Sequence, residues 1–239
     1  MKGMTAYLAA FVLWVFGFES ARDLLAPWLP AATQILTRTS LPELALQHIA
    51  IVTAATALAL ATALLLAVLV RLRRSDEWKR LALAAGSIGE TVPSAAVIAL
   101  AVPVLGYGNV PCMLALYLYA ILPVVRNAII GMESTPAAVQ EAGTALGMTR
   151  RQQLRQLDLP LAVPAILAGA RTALVVNISA ATIGATVGAG GFGVPIIAGI
   201  RIYDPVMVLQ GSIPVILLAL FADRAFRLLS ARMEGVHSL

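Results

Sequence analysis

Long apolar runs, separated by short polar and basic stretches, dominate the chain. Residues 49–70 contain no charged side chain. They predict one helix able to cross a bilayer, whose apolar core of about 30 Å needs about 20 helical residues. Residues 81–105 predict a second span, interrupted by Glu90. Residues 110–125 predict a third that continues a little past Arg126. Residues 161–187, interrupted by Arg171, and residues 205–222 predict two more. The N-terminal run Gly3–Phe18 is shorter and follows Lys2. It reads either as a retained first span or as a signal peptide with Ser20-Ala21 near a cleavage point. Taken as retained, it brings the expectation to an all-α integral membrane fold of about six transmembrane helices. Helices are expected because a lipid-embedded backbone must satisfy its own hydrogen bonds.

Composition supports this. Of the 239 residues, 60% are hydrophobic and 12% charged, against roughly 25% charged in soluble domains. A soluble α-protein would lack the polar surface it needs. The single Cys112 excludes a disulfide within the chain, and His48 and His237 add too little for a four-ligand metal site.

The net charge of +5 could point to nucleic acid, but the placement of the charges argues against that. With a cytoplasmic N-terminus, the inside segments hold Lys2, then Arg71, Arg73, Arg74, Lys79 and Arg80, then Arg150, Arg151 and Arg155, then Arg224, Arg227 and Arg232. These are twelve of the seventeen basic residues. The outside segments hold only Arg22, Arg38 and Arg201. The bias follows the positive-inside rule. It predicts a multi-pass membrane protein with both termini in the cytoplasm and no nucleic-acid partner.

The loop of residues 134–159 is the most informative stretch. Pro136 suits a first helical position with Thr135 as N-cap. Gly147 suits a left-handed stop after Leu146. Thr149 and Gln152 have capping-box spacing for a second short helix, and Pro160 is expected to open the next span. The pattern is a helix-turn-helix between two spans, on the basic side.

Here the residues form a known signature. Glu141-Ala142-Gly143, three residues, Gly147, nine residues, then Leu157-Asp158-Leu159-Pro160 resembles the coupling loop of ABC importer permeases (Glu-Ala-Ala, three residues, Gly, nine residues, Ile-x-Leu-Pro). Gly143 stands for the second Ala and Leu157 for Ile. The resemblance implies a type I importer permease fold, with residues 41–227 as its transmembrane domain. Residues 1–40 then form an N-terminal helix and outer segment, and 228–239 a cytoplasmic tail. It implies that the loop docks on a separate ATPase subunit through Glu141, Ala142, Gly143, Gly147, Leu157 and Pro160. ATP and magnesium would sit on that partner, with no cofactor and no catalysis on this chain. No Gly-x4-Gly-Lys-Ser/Thr phosphate cradle exists here. Gly188, Gly190 and Gly193 match the dinucleotide-binding spacing, but they follow a membrane helix rather than a strand.

Further blocks resemble the osmoprotectant branch, which serves glycine betaine, choline and carnitine: Glu90-Thr91-Val92-Pro93-Ser94, Leu118 to Pro123, Arg126-Asn127, Ala168 to Thr172, and Gly188 to Gly193. The resemblance implies an extracytoplasmic solute-binding protein and a second permease subunit, either identical or related. Glu90 and Arg171 sit near mid-depth of their spans, and ionisable residues there ordinarily face the protein interior or a pathway. With Asn177, Ser179 and Thr182, they are candidates for the translocation path or gate; a purely structural polar clamp is the alternative. Gly184 and Gly188 have the spacing of a close helix contact. Rival readings are a permease for another small solute such as an amino acid, an intramembrane enzyme using Glu90 and Asp204 or His48, and a non-transporting scaffold.

Overall fold

A computed structural model of the chain describes residues 2–25, 39–73 and 75–237. Among the described residues the regular structure is entirely helical. In order these are α1 (Lys2–Leu25), α2 (Leu41–Arg73), α3 (Asp76–Thr91), α4 (Ser94–Leu105), α5 (Asn109–Glu133), α6 (Ala137–Ala145), α7 (Arg150–Gln153), α8 (Leu159–Ala180), α9 (Gly193–Ile202) and α10 (Pro205–His237). A π turn, Leu154–Asp158, joins α7 to α8, and a 3-10 stretch, Ala181–Val187, follows α8.

Among the described residues, four stretches are long and apolar enough to cross a membrane: Leu41–Arg73, Asn109–Glu133, Arg150–Val187 and Pro205–Met233. Gly3–Phe18, Ser94–Leu105 and Gly193–Ile202 are shorter apolar helices. The expected single span over 81–105 is therefore corrected to two helices. Val92 is extended (φ −91°, ψ 122°) and Pro93 follows, as steric restriction before proline requires. The last span also continues helical to His237 rather than ending at Ala222.

The chain divides into two compact units. One comprises residues 1–55, 93–116 and 175–225, the other residues 56–92, 117–174 and 226–239. The second unit has a core of small residues. Ala59, Ala63 and Ala67 recur every fourth residue on α2 and are fully buried, whereas Leu58, Leu65 and Leu69 on the other faces are exposed. A water-soluble helix would do the reverse. Large apolar groups outside and small ones inside suit a lipid solvent, where close backbone packing drives association. Met132, Val124 and Val125 of α5 complete this core with Ala162 and Ala173 of α8. Helices α5 and α8 approach through glycines. A Cβ on Gly131 would lie 2.8 Å from Ala165 Cβ, and one on Gly169 would lie 2.7 Å from the Pro123 carbonyl oxygen. A backbone oxygen cannot give way as a flexible side chain can. Gly169→Val is therefore expected to destabilise the protein by about 2 kcal/mol or more. Thermal unfolding in detergent would check this, with Gly17→Ala, where nothing lies within 4 Å, as a neutral control.

In the first unit the glycine-rich turn after the 3-10 stretch is clamped in place. Gly190 N–H donates to Asn109 Oδ1 at 3.1 Å and Gly191 N–H to Gln47 Oε1 at 3.2 Å. His48 Nε2 donates to the Ile178 carbonyl at 3.0 Å. Phe192 is buried beside the rings of Phe11 and His48. The dinucleotide-like glycine spacing thus has a packing explanation. Gly188 and Gly191 take φ +79° and +99°, and a Cβ on Gly193 would strike the Thr182 backbone. The expected close contact through the Gly184 and Gly188 pair is half corrected. Gly184 packs against Cys112, but Gly188 has nothing within 4 Å and serves the left-handed turn instead.

Candidate functional site

The loop after α5 folds by local rules. Pro136 occupies the N-cap position of α6, with φ −56° and ψ 139°. Thr135 is not the cap, contrary to expectation. Proline at N-cap displaces it by one residue, and its hydroxyl instead donates to Asp158 Oδ1 at 2.9 Å. Helix α6 ends as the glycine predicts. Gly147 has φ +74°, its N–H bonds the Thr144 carbonyl, and Met148 N–H bonds the Gly143 carbonyl, each at 3.0 Å. These two bonds form a Schellman stop. The capping box is complete, with Thr149 N–H donating to Gln152 Oε1 at 2.7 Å and Gln152 N–H donating back to the Thr149 hydroxyl.

Pro160 does not open the next span. Helical structure already begins at Arg150 and passes through the π turn into α8. Proline has no N–H and crowds the carbonyl four residues before it. The wider turn ends at Asp158, one residue short of Pro160's neighbour Leu159, whose N–H reaches back to the Leu154 carbonyl, and so absorbs both demands.

The short helix has one buried line and a broad free face. Gly143 is buried, and a Cβ there would meet Leu157 Cδ1 at 3.0 Å and Met148 Sδ at 3.2 Å. Glu141, Ala142 and Ala145 are exposed, and Leu146 at the tip is 82% exposed. Leaving a leucine in water forgoes about 1.5–3 kcal/mol that its burial would contribute. The exposed face therefore carries an apolar tip beside the acidic Glu141 and the small Ala142 and Ala145. Of the sequence-predicted docking set, Leu157 packs beneath Gly143, Gly147 stops the helix, and Pro160 is exposed at the start of α8.

Polar contacts hold α6 from behind. Gln153 Nε2 donates to the Thr144 hydroxyl at 3.0 Å, and that hydroxyl donates to the Gln140 carbonyl at 2.9 Å. Gln140 Nε2 donates to the Thr135 carbonyl at 3.3 Å. Asp158 is held at both oxygens by Arg71, with Nε to Oδ2 at 2.7 Å and Nη2 to Oδ1 at 3.0 Å. A second ion pair, Lys79 to Glu133 at 2.6 Å, links α3 to the end of α5. Arg71, Thr135, Gln153 and Asp158 were not among the sequence candidates. The one signal available was an acid between two leucines ahead of a proline.

The candidate path residues divide between the units. Glu90 lies in the last turn of α3, with its side chain outside the described residues. Arg171 is half-buried on α8 in the second unit. Asn177 is buried, Ser179 exposed and Thr182 half-buried, all in the first unit. Thr182 donates to the Ser179 carbonyl at 2.7 Å.

Comparison with known proteins bears on this loop and the helices around it. The family model of the binding-protein-dependent transport system inner membrane component matches residues 59–235. The chain belongs to that family. It is 39% identical over 137 residues to the glycine betaine/carnitine/choline transport system permease protein OpuCB of Bacillus subtilis, covering 57% of this chain and 63% of that one. The aligned stretch is thus under two thirds of that relative's length. Against the carnitine transport permease protein OpuCB of Listeria monocytogenes the identity is 36% over 187 residues, 78% of this chain and 85% of the relative. Among solved structures, an inward-facing MetNI methionine ABC transporter chain superposes with TM-score 0.71 at 20% identity, covering 78% of this chain and 93% of that one. That likeness gives the fold of an importer permease.

Proposed function

We propose that this chain is the transmembrane permease of an ATP-driven importer for glycine betaine or a related quaternary amine. The observation that carries the reading is the exposed face of α6, ending in Leu146, on a loop with the family's spacing. That face is the docking point for a separate ATPase, which binds ATP and magnesium. An extracytoplasmic binding protein delivers the solute, and a second permease subunit completes the path. Six crossings are formed by α1, α2, the α3–α4 pair, α5, α8 and α10. The basic residues around Arg71–Arg80, Arg150–Arg155 and Arg224–Arg232 then fall on the cytoplasmic side with both termini. Solute moves by alternating access, driven through α6. Glu90, Arg171, Asn177, Ser179 and Thr182 line or brace the path.

The substrate class rests on relatives at 36% and 39% identity whose names include carnitine, choline and glycine betaine. The methionine transporter shares only 20%. The test is proteoliposomes holding this permease with its cognate ATPase and binding protein. ATP-dependent accumulation of glycine betaine, carnitine or choline is expected. Accumulation of methionine in their place would overturn the substrate class, and no ATP-dependent uptake of any solute would overturn the importer.

A further inference from the structure

Helix α6 turns its apolar tip away from the rest of the second unit, so apolar packing alone does not fix it. The remaining hold is polar, and it converges on one carboxylate. The Asp158 side chain is 4% exposed and Arg71 15%. Removing one partner of such a pair strands a buried charge. The forked guanidinium sets orientation as well as distance. Asp158 also accepts from Thr135, which lies just ahead of α6, while Asp158 itself lies in the π turn behind it. One acidic group therefore pins both ends of the loop to the last turn of α2. Among the described residues, the nearby charges include Arg150, which lines the same crevice with Gln153 and Leu154, and Asp76, Lys79 and Glu133, which line a pocket with Arg71, Lys79 being bound to Glu133.

We propose that Asp158 is a positioning residue that, through Arg71 and Thr135, registers α6 against the end of α2. Force applied to α6 then moves α2 instead of dissipating in the loop. The proposal rests on the ATPase-docking role of α6 given above. The network is contiguous, with two charge-assisted bonds on the carboxylate and a chain of amide and hydroxyl contacts running on to Thr144 and Gln153. Satisfied buried networks of this kind rigidify what they join.

Two readouts separate this role from a merely structural one. In purified permease, Asp158→Asn should speed amide exchange across residues 137–145 by about tenfold, with α2 and α5 unchanged, because local opening can be selective. In the reconstituted complex the same variant should keep its ATPase but move less solute per ATP hydrolysed. Arg71→Gln should do likewise, and the double variant should be no worse than either single, as expected for two members of one interaction. Thr135→Val removes the hydroxyl's bonds to Asp158 and to the Met132 carbonyl, carries the same expectation at smaller size, and decides the matter if Asp158→Asn fails to fold. Unchanged α6 exchange, equal loss in every helix, or fully additive effects of Asp158→Asn and Arg71→Gln would overturn the positioning role. If wild-type permease fails to retain its ATPase, the docking role falls instead, and the exchange result still reports whether Asp158 holds the loop.

Discussion

Leu146→Asp is expected to abolish ATP-dependent uptake while leaving the permease folded. The leucine is the most exposed large apolar residue of the loop, at 82%, so its replacement costs the isolated permease little, within about 0.5 kcal/mol for a surface site. At an ATPase interface the same change removes an apolar contact worth about 1.5–3 kcal/mol. It also forces a carboxylate into a desolvated contact. Together these reach the range of interface hot spots, about 2–4 kcal/mol or more, a loss of roughly 30-fold to 1,000-fold in ATPase affinity by the usual conversion. Titration of the purified permease with its ATPase measures that loss directly. An unchanged melting temperature beside it shows that the defect is in docking.

The second large effect is expected at Gly143, where two substitutions should part company. Gly143→Ala places a methyl against the ends of two flexible side chains, Leu157 and Met148, at 3.0 and 3.2 Å. Both can yield by a few tenths of an ångström. The helix gains about 1 kcal/mol of intrinsic propensity, and the sequence then matches the family's Glu-Ala-Ala. ATPase binding is expected at or slightly above the wild-type level. Gly143→Leu has no such room. Overpacking costs about 1–3 kcal/mol, and the simplest relief lifts α6 off Leu157, moving Ala142 and Leu146 away from their docked positions. ATPase affinity should fall by about tenfold or more. Equal behaviour of the two variants in an affinity titration would count against a docked α6.

Much of the loop is legible in the sequence because it obeys rules that span a few residues. Gly147 stops a helix through its own φ, and Thr149 with Gln152 closes a capping box three residues apart. The apolar runs are legible for a similar reason, since hydrocarbon thickness fixes their length. Less legible is whatever depends on neighbours far along the chain. Arg71 and Asp158 lie 87 residues apart, and no local rule pairs them, so Thr135 reads as a cap when its hydroxyl serves Asp158. Pro160 reads as a helix opener because the π turn that lets the helix run into it has no sequence signature of its own. Pro93 is plain in the sequence, yet whether a proline bends or breaks a helix depends on packing around it, and here it breaks one. Gly184 and Gly188 share a spacing but not a role, because one meets Cys112 and the other makes a turn.

The central claim is that α6 lies in the cytoplasm and is covered by an ATPase. The direct measurement is labelling of an Ala145→Cys variant with a membrane-impermeant maleimide, in sealed vesicles of each orientation, with and without the ATPase. Native Cys112 is fully buried and should stay silent. The expected result is labelling in inside-out vesicles only, and protection when the ATPase is bound. Labelling from the outer face, or labelling indifferent to the ATPase, would contradict it.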